Sequence, residues 1–126
     1  MSLQPISGEN LPKSHLPFSP AIRAGNLLFV SGQASVDDTG KLVSDTFEKE
    51  FRRSMDNVKR ILAAAGCSLQ DVVQVKSYVK NASDVPEYNK LYREYFTEPY
   101  PARTTIVNCL GTLLYEIDVI AYSPRA

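Results

Sequence analysis

Tyr100-Pro101-Ala102-Arg103-Thr104-Thr105-Ile106 is the stretch on which the reading of this sequence turns. Pro99 and Pro101 stop whatever precedes them, because proline lacks the amide donor that a helix or a central strand needs. The run from Thr104 to Val107 is rich in β-branched residues and favours a strand. Arg103 therefore stands at the mouth of a strand, where a loop meets a sheet. A guanidinium at such a place can hold a carboxylate by two parallel hydrogen bonds. It can equally serve a structural ion pair or end in solvent, as surface arginines commonly do.

Downstream, that strand runs to about Cys109, turns near Leu110-Gly111-Thr112, and gives way to a last strand from about Leu114 to Tyr122. Alternation places Glu116, Asp118, Ile120 and Tyr122 on one face and Ile117, Val119 and Ala121 on the other. A hairpin turning near Gly111 would bring Arg103 and Glu116 within a few residue pairs. Such a pair can divide labour, the arginine binding a carboxylate while the glutamate orients a water or exchanges a proton. The same two groups can also neutralise each other in a structural bridge.

Upstream, Val85, Tyr88, Leu91, Tyr92 and Tyr95 line one side of a helix, with Pro86 in its first turn and Asp84 and Glu87 spaced for a capping box. The aromatic stripe reads as core packing rather than a base-stacking platform. Val72 to Val79 alternates and reads as a strand. Phe47, Phe51, Met55, Val58, Leu62 and Ala65 form an apolar stripe on a helix from Thr46 to Ala65, capped by Gly66. Its charged residues, Glu48, Glu50 and Asp56 among Lys49, Arg52, Arg53, Lys59 and Arg60, read as a mixed-charge solvent face. Asp37-Asp38-Thr39-Gly40 is a turn. Leu27 to Ala34 is nearly continuous in apolar residues, which suggests a strand buried on both faces. Gly32 inside it allows a bulge or a close approach by another backbone. A Gly25-Asn26 turn joins it to a short strand at Ile22–Ala24. Residues 1–20 hold four of the eight prolines, so the N-terminal segment, residues 1–16, is expected to be an extended arm.

At 126 residues a single domain spanning 1–126 is expected. The 14 basic and 14 acidic residues cancel, and no basic block provides a footprint for non-specific nucleic-acid binding. Cys67, Cys109 and the single histidine, His15, form no metal-ligand pattern, so no metal is expected. No apolar run between Met1 and Leu16 suits a signal peptide or membrane span, and free thiols suit a reducing cytoplasm. Two helices cover only one face of a sheet. The other face would show Ile120, Tyr122 and residues of the Leu27–Val30 strand, and self-association is the simplest way to cover it.

Pro101-Ala102-Arg103-Thr104-Thr105, Leu28-Phe29-Val30-Ser31-Gly32-Gln33 and Glu116-Ile117-Asp118-Val119-Ile120-Ala121, in that setting, resemble the RidA/YjgF family of enamine/imine deaminases. Many of its members carry the description "translation inhibitor" or "endoribonuclease L-PSP". The resemblance extends from about Phe18 to Tyr122. It implies an α+β, chorismate-mutase-like fold, β-β-α-β-α-β-β, a mixed sheet with two helices on one face. It also implies a homotrimer around a central barrel, with one site in each subunit cleft. The implied reaction is hydrolysis of 2-imino acids and their enamines (2-aminoacrylate, 2-iminopropanoate, 2-iminobutanoate) to a 2-keto acid and ammonia, with no cofactor.

Carried over by position, the resemblance makes Arg103 the carboxylate anchor and Glu116 the residue that activates water. Ser31, Gly32, Asn89 and Thr105 line the cleft, and Phe18 stands where the deaminases commonly have tyrosine, keeping an aromatic wall without a hydroxyl. The Glu116 match requires a small gap in the preceding turn; without it, Asp118 takes the place. Two other readings stand beside the deaminase. One is a family sibling acting on a different carboxylate-bearing enamine. The other is a small-acid-binding or regulatory module without turnover.

Overall fold

The computed structural model describes residues 3–8, 11 and 15–124. Its elements are β1 (Leu3–Ile6), β2 (Ala21–Ala24), β3 (Leu27–Ala34), α1 (Phe47–Ala64), β4 (Val72–Val79), α2 (Val85–Tyr95), β5 (Ala102–Val107) and β6 (Tyr115–Tyr122), with short 3₁₀ turns at Leu69–Asp71 and Ala82–Asp84. The strands form one mixed sheet in the order β1-β2-β3-β6-β4-β5. Only β4 and β5 run parallel, joined through α2. The expected fold class is present; of the N-terminal segment, Leu3–Ile6 form β1 against β2, and residues 1–2, 9–10 and 12–14 of the expected arm lie outside the described residues.

Helix α1 forms where the apolar stripe lies. Thr46 caps it by accepting from the Lys49 amide, and Gly66 follows at φ +78°, a conformation natural to glycine. Phe51, Met55, Val58, Ile61 and Leu62 are fully buried against Leu28, Val30, Ile117 and Val119. Side chains so buried contribute about 1.5–3 kcal/mol each and dominate the docking of this helix. Glu50 is not on the solvent face as expected. It is 1% exposed, and its two carboxylate oxygens accept from the amides of Asp45 and Leu114. That contact ties the start of α1 to the approach of β6. Helix α2 has proline in its first turn as expected, but Asp84 makes no capping bond. The 3₁₀ turn at Ala82–Asp84 leads directly into α2 and leaves Asp84 in a helical conformation, so no capping box forms.

Two expectations about strands are corrected. β3 is buried on one face only: Leu28 and Val30 are covered, while Leu27 and Phe29 are 39% and 42% exposed. Its far face, with Ile106 and Tyr122, stays open. The C-terminal hairpin does not form either. β6 pairs with β3 and β4, and β4 lies between it and β5. The reason is the crossover: a strand that follows α2 returns parallel to β4 at the sheet edge, and the last strand inserts antiparallel in the remaining slot. The turn after β5 also differs. Asn108 and Leu110 carry the positive φ angles, 61° and 76°, not Gly111.

Candidate functional site

The register fixes where the expected site residues point. Arg103 lies opposite Val75, and Thr105 opposite the buried Ser77, so both face the helices. Glu116 lies opposite Tyr78 and alternates with the buried Tyr115 and Ile117, so it faces away from them. Two strand spacings and three residues separate the backbones of Arg103 and Glu116, roughly 14 Å. The two groups therefore lie on opposite faces of one sheet, each beside its own cavity: the first and second candidate half-sites.

The first half-site is a cavity of about 250 Å³ lined by Asn89, Tyr92, Arg93, Tyr100, Pro101 and Arg103. The Arg103 guanidinium carbon stands 4.9 Å from the Tyr88 ring centroid and 4.8 Å from that of Tyr92. Among the described residues Arg103 has no carboxylate partner, whereas Arg52, Arg53 and Arg60 are all paired with acidic groups. An arginine resting on aromatic faces is held in place while its donors stay open. Thr105 Oγ1 lies 3.2 Å from the Tyr88 hydroxyl, which fixes that ring beneath the guanidinium. Burial pushes the Tyr92 hydroxyl pKa up, and this hydroxyl has no partner among the described residues. Tyr88 and Tyr92 were legible only as core residues. Their spacing of four on the helix ahead of Arg103 is the signal that could have marked them as its shelf.

The second half-site is a larger cavity, about 520 Å³, in which Glu116 meets Gly32, Phe18, Leu16, Leu42 and His15 among others. It opens because β2 begins only at Ala21, opposite Val30, while β3 runs on to Ala34. The arm fills part of the gap: the Ser31 amide donates to Pro20 and the Ser31 hydroxyl to the Ser19 carbonyl at 2.6 Å. Ser31 thus anchors the arm that carries Phe18. Ser31 and Gly32 together oppose Asp118, a β-bulge. Gly32 allows a close approach, as its position suggests, but of a side chain rather than a backbone. A Cβ there would lie 2.4 Å from Glu116 Oε2.

Glu116 accepts no hydrogen bond from a described side chain or backbone amide, and burial, with the neighbouring Asp118 charge, raises its pKa. Asp118, the alternative, accepts from the Tyr78 hydroxyl at 2.6 Å. The six carried-over residues other than Ser31 thus sort cleanly: Arg103, Asn89 and Thr105 in one half-site, Phe18, Gly32 and Glu116 in the other. His15, Tyr78, Tyr88, Tyr92 and Tyr100 are the neighbours that sequence reasoning did not place there.

Residues 8–123 match the family model described as Endoribonuclease L-PSP. A RutC family protein of Pyrococcus horikoshii is 44% identical over 120 residues, covering 93% of this chain and 95% of that protein. A protein of Dermatophagoides farinae named 2-iminobutanoate/2-iminopropanoate deaminase is 32% identical over 80% of each chain. The crystal structure of RidA from the Antarctic bacterium Psychrobacter sp. superposes with a TM-score of 0.86 at 33% identity, covering 94% of this chain and 98% of that one. With the fold, the PAR block and the Gly32–Glu116 contact in place, the chain belongs to the RidA/YjgF family.

Proposed function

We propose that this protein is a hydrolytic deaminase of 2-imino acids and their enamines, working as a homotrimer whose sites form between copies. The observation that carries the reading is the Arg103 guanidinium, free of carboxylates, shelved on Tyr88 and Tyr92 beside Asn89. It is a socket for a small carboxylate. Because Glu116 lies on the other face of the same sheet, a second copy has to bring its Glu116 to that socket. The apolar far face supports such an assembly.

In this reading Arg103 forks the substrate carboxylate and fixes the adjacent imine carbon. Glu116 of the next copy positions a water. The protonated Glu116 carboxyl gives its proton to the imine nitrogen as the water oxygen bonds to the carbon and the C=N electron pair moves to nitrogen. The resulting carboxylate takes the proton that the attached water loses and passes it to the amine nitrogen. The C–N bond then breaks as the hydroxyl O–H electron pair forms the carbonyl, and the hydroxyl proton returns to Glu116, leaving the 2-keto acid and ammonia. Burial, and after it the neighbouring Asp118 charge, raises the Glu116 pKa, which suits its carboxyl to both taking and giving a proton. The substrate is already an activated electrophile, so anchoring and proton delivery carry most of the demand.

The test is the decay of 2-iminopropanoate generated in situ. Arg103→Ala abolishes the acceleration without unfolding the chain, and an unchanged rate would overturn the anchor. Arg103→Ala and Glu116→Gln, each inactive alone, regain about one quarter of wild-type activity when co-refolded in equal amounts, since that share of sites draws an intact residue from each copy. No regain would overturn the assembly between copies.

A second reading is favoured by the cavity at Glu116. Its size and its Leu16, Phe18 and Leu42 walls suit a larger carboxylate-bearing enamine. Faster turnover of an aromatic or branched imino acid than of 2-iminopropanoate would select it. Cys67 and Cys109 are free thiols, which supports a cytoplasmic setting. No described helix is long and apolar enough to cross a membrane.

A further inference from the structure

We infer that Arg93 makes the Arg103 socket a site for two carboxylates, so that the preferred substrate is a 2-imino dicarboxylic acid. The inference rests on the reading of Arg103 as the anchor of the α-carboxylate. It follows from how the described arginines are employed. Arg23 gives its donors to the Ser123 carbonyl and hydroxyl and to the Ala65 carbonyl. Arg52 is paired with Glu48 and Glu94, Arg53 with Asp45, and Arg60 with Asp38. That leaves Arg93 and Arg103, and both border the same cavity. Among the described residues Arg93 has one long bond, 3.4 Å from Nη1 to the Asn89 carbonyl, and Arg103 rests on its two tyrosine rings.

Local structure explains why Arg93 stays open. Asn89 and Arg93 are four residues apart on α2, so they share one side of the helix, a turn apart. Glu94, next in the chain, is taken by Arg52 on α1 at 3.0 Å. Glu98, in the loop before β5, borders a different cavity, with Leu69 and Tyr95. The lining of the Arg103 cavity therefore carries two positive charges and no negative one, in a chain whose acidic and basic residues balance. Two like charges beside one cavity repel. A single α-carboxylate neutralises one of them, and an alkyl side chain leaves Arg93 unmatched. A second carboxylate on the same molecule neutralises the other, and a guanidinium presents the planar fork that fits it.

The experiment compares binding of two keto acids of equal chain length, 2-oxoglutarate and 2-oxopentanoate, which differ in the second carboxylate. Calorimetry is done at low ionic strength, where an exposed pair is least screened. Wild type binds 2-oxoglutarate about tenfold more tightly, the worth of one charge-assisted pair. Arg93→Gln abolishes the difference, Arg93→Lys keeps part of it, and Arg93→Glu inverts it. Equal binding by wild type overturns the inference whatever the variants do, and so does a preference that survives Arg93→Gln. Decay of 2-iminoglutarate and of 2-iminopropanoate, each generated in situ, separates the inference from the reading beneath it. The expected kcat/KM favours 2-iminoglutarate, and Arg93→Gln removes that advantage. Accelerated decay of 2-iminopropanoate, with equal binding of the two keto acids, overturns the dicarboxylate and leaves the deaminase. An Arg93-dependent preference in a protein that speeds the decay of neither imine upholds the two-carboxylate site and removes the deaminase reading instead.

Discussion

Replacing Gly32 with alanine tests the seating of Glu116 directly. The backbone at Gly32 is not in the left-handed region, so alanine meets no conformational penalty there. Its methyl group would lie 2.4 Å from Oε2 and 3.1 Å from Cδ of Glu116. Ordinary contact begins near 3.4 Å, so the carboxylate has to retreat by about 1 Å. The atom in the way is the end of a flexible side chain, and it yields by changing rotamer at a cost below about 1 kcal/mol. In a domain of this size that lowers the melting temperature by no more than about 3–6 °C. Catalysis is far less forgiving, because a 1 Å misplacement of a reacting group costs on the order of 100-fold. The expected variant is folded, trimeric if the wild type is, still able to bind a keto acid at Arg103, and about 100-fold slower on 2-iminopropanoate. Thermal melts, a keto-acid titration and the imine decay assay read the three properties separately. Wild-type turnover would refute a catalytic Glu116 held at this bulge. A fall in melting temperature above about 10 °C would show that the backbone, not the carboxylate, takes the clash.

Leu110→Gly relieves a bulky residue held at φ 76° and stabilises the fold by about 0.5–1 kcal/mol, measured by denaturant unfolding. Glu116→Gln makes stability less sensitive to pH. The folded state holds the Glu116 proton more tightly than the unfolded chain, so wild type matches the variant in acid and loses ground as pH rises through the raised midpoint. Melts of both proteins between pH 4 and pH 8, about the range in which a raised glutamate titrates, check the sign; a gap that closes as pH rises would contradict it. Phe18→Tyr returns a hydroxyl to the wall of the Glu116 cavity and raises turnover of 2-iminopropanoate, about tenfold at most, if a hydroxyl there serves the water; steady-state kinetics decide.

The two helices and the faces of β6 were legible because their periodicities are strong and long-range contacts agree with them. Phe51, Met55 and Val58 announce a buried stripe, and they are buried. The alternation of β6 announces which way Glu116 points. Strand neighbours were not legible, because pairing β5 with β6 or with β4 leaves the local pattern of Arg103–Val107 unchanged. Only the crossover through α2 decides, and it puts Arg103 on the helix face. Glu50 was misread for a similar reason. A carboxylate on a helix looks the same in sequence whether it meets water or two amides, here those of Asp45 and Leu114. The apparent burial of β3 on both faces came from Leu27 and Phe29, apolar residues that the isolated chain leaves uncovered.

Those uncovered residues bear on why the two half-sites are divided. Leu27, Phe29, Ile106 and Tyr122 lie on the face that carries Glu116, while Arg103 sits on an edge strand under α2. On the proposed assembly, the apolar face that drives copies together is the same face that carries the carboxylate. Association would withdraw further water from Glu116, which strengthens its hold on a proton, while the arriving guanidinium of the neighbour's Arg103 acts the other way and favours the carboxylate. The anchor and the proton carrier would then become competent together, and a lone chain would keep its guanidinium and its carboxylate roughly 14 Å apart, with the sheet between them. A carboxylate free to close on that arginine within one chain would form the structural bridge that empties the site. Placing the two on opposite faces removes that bridge within one chain.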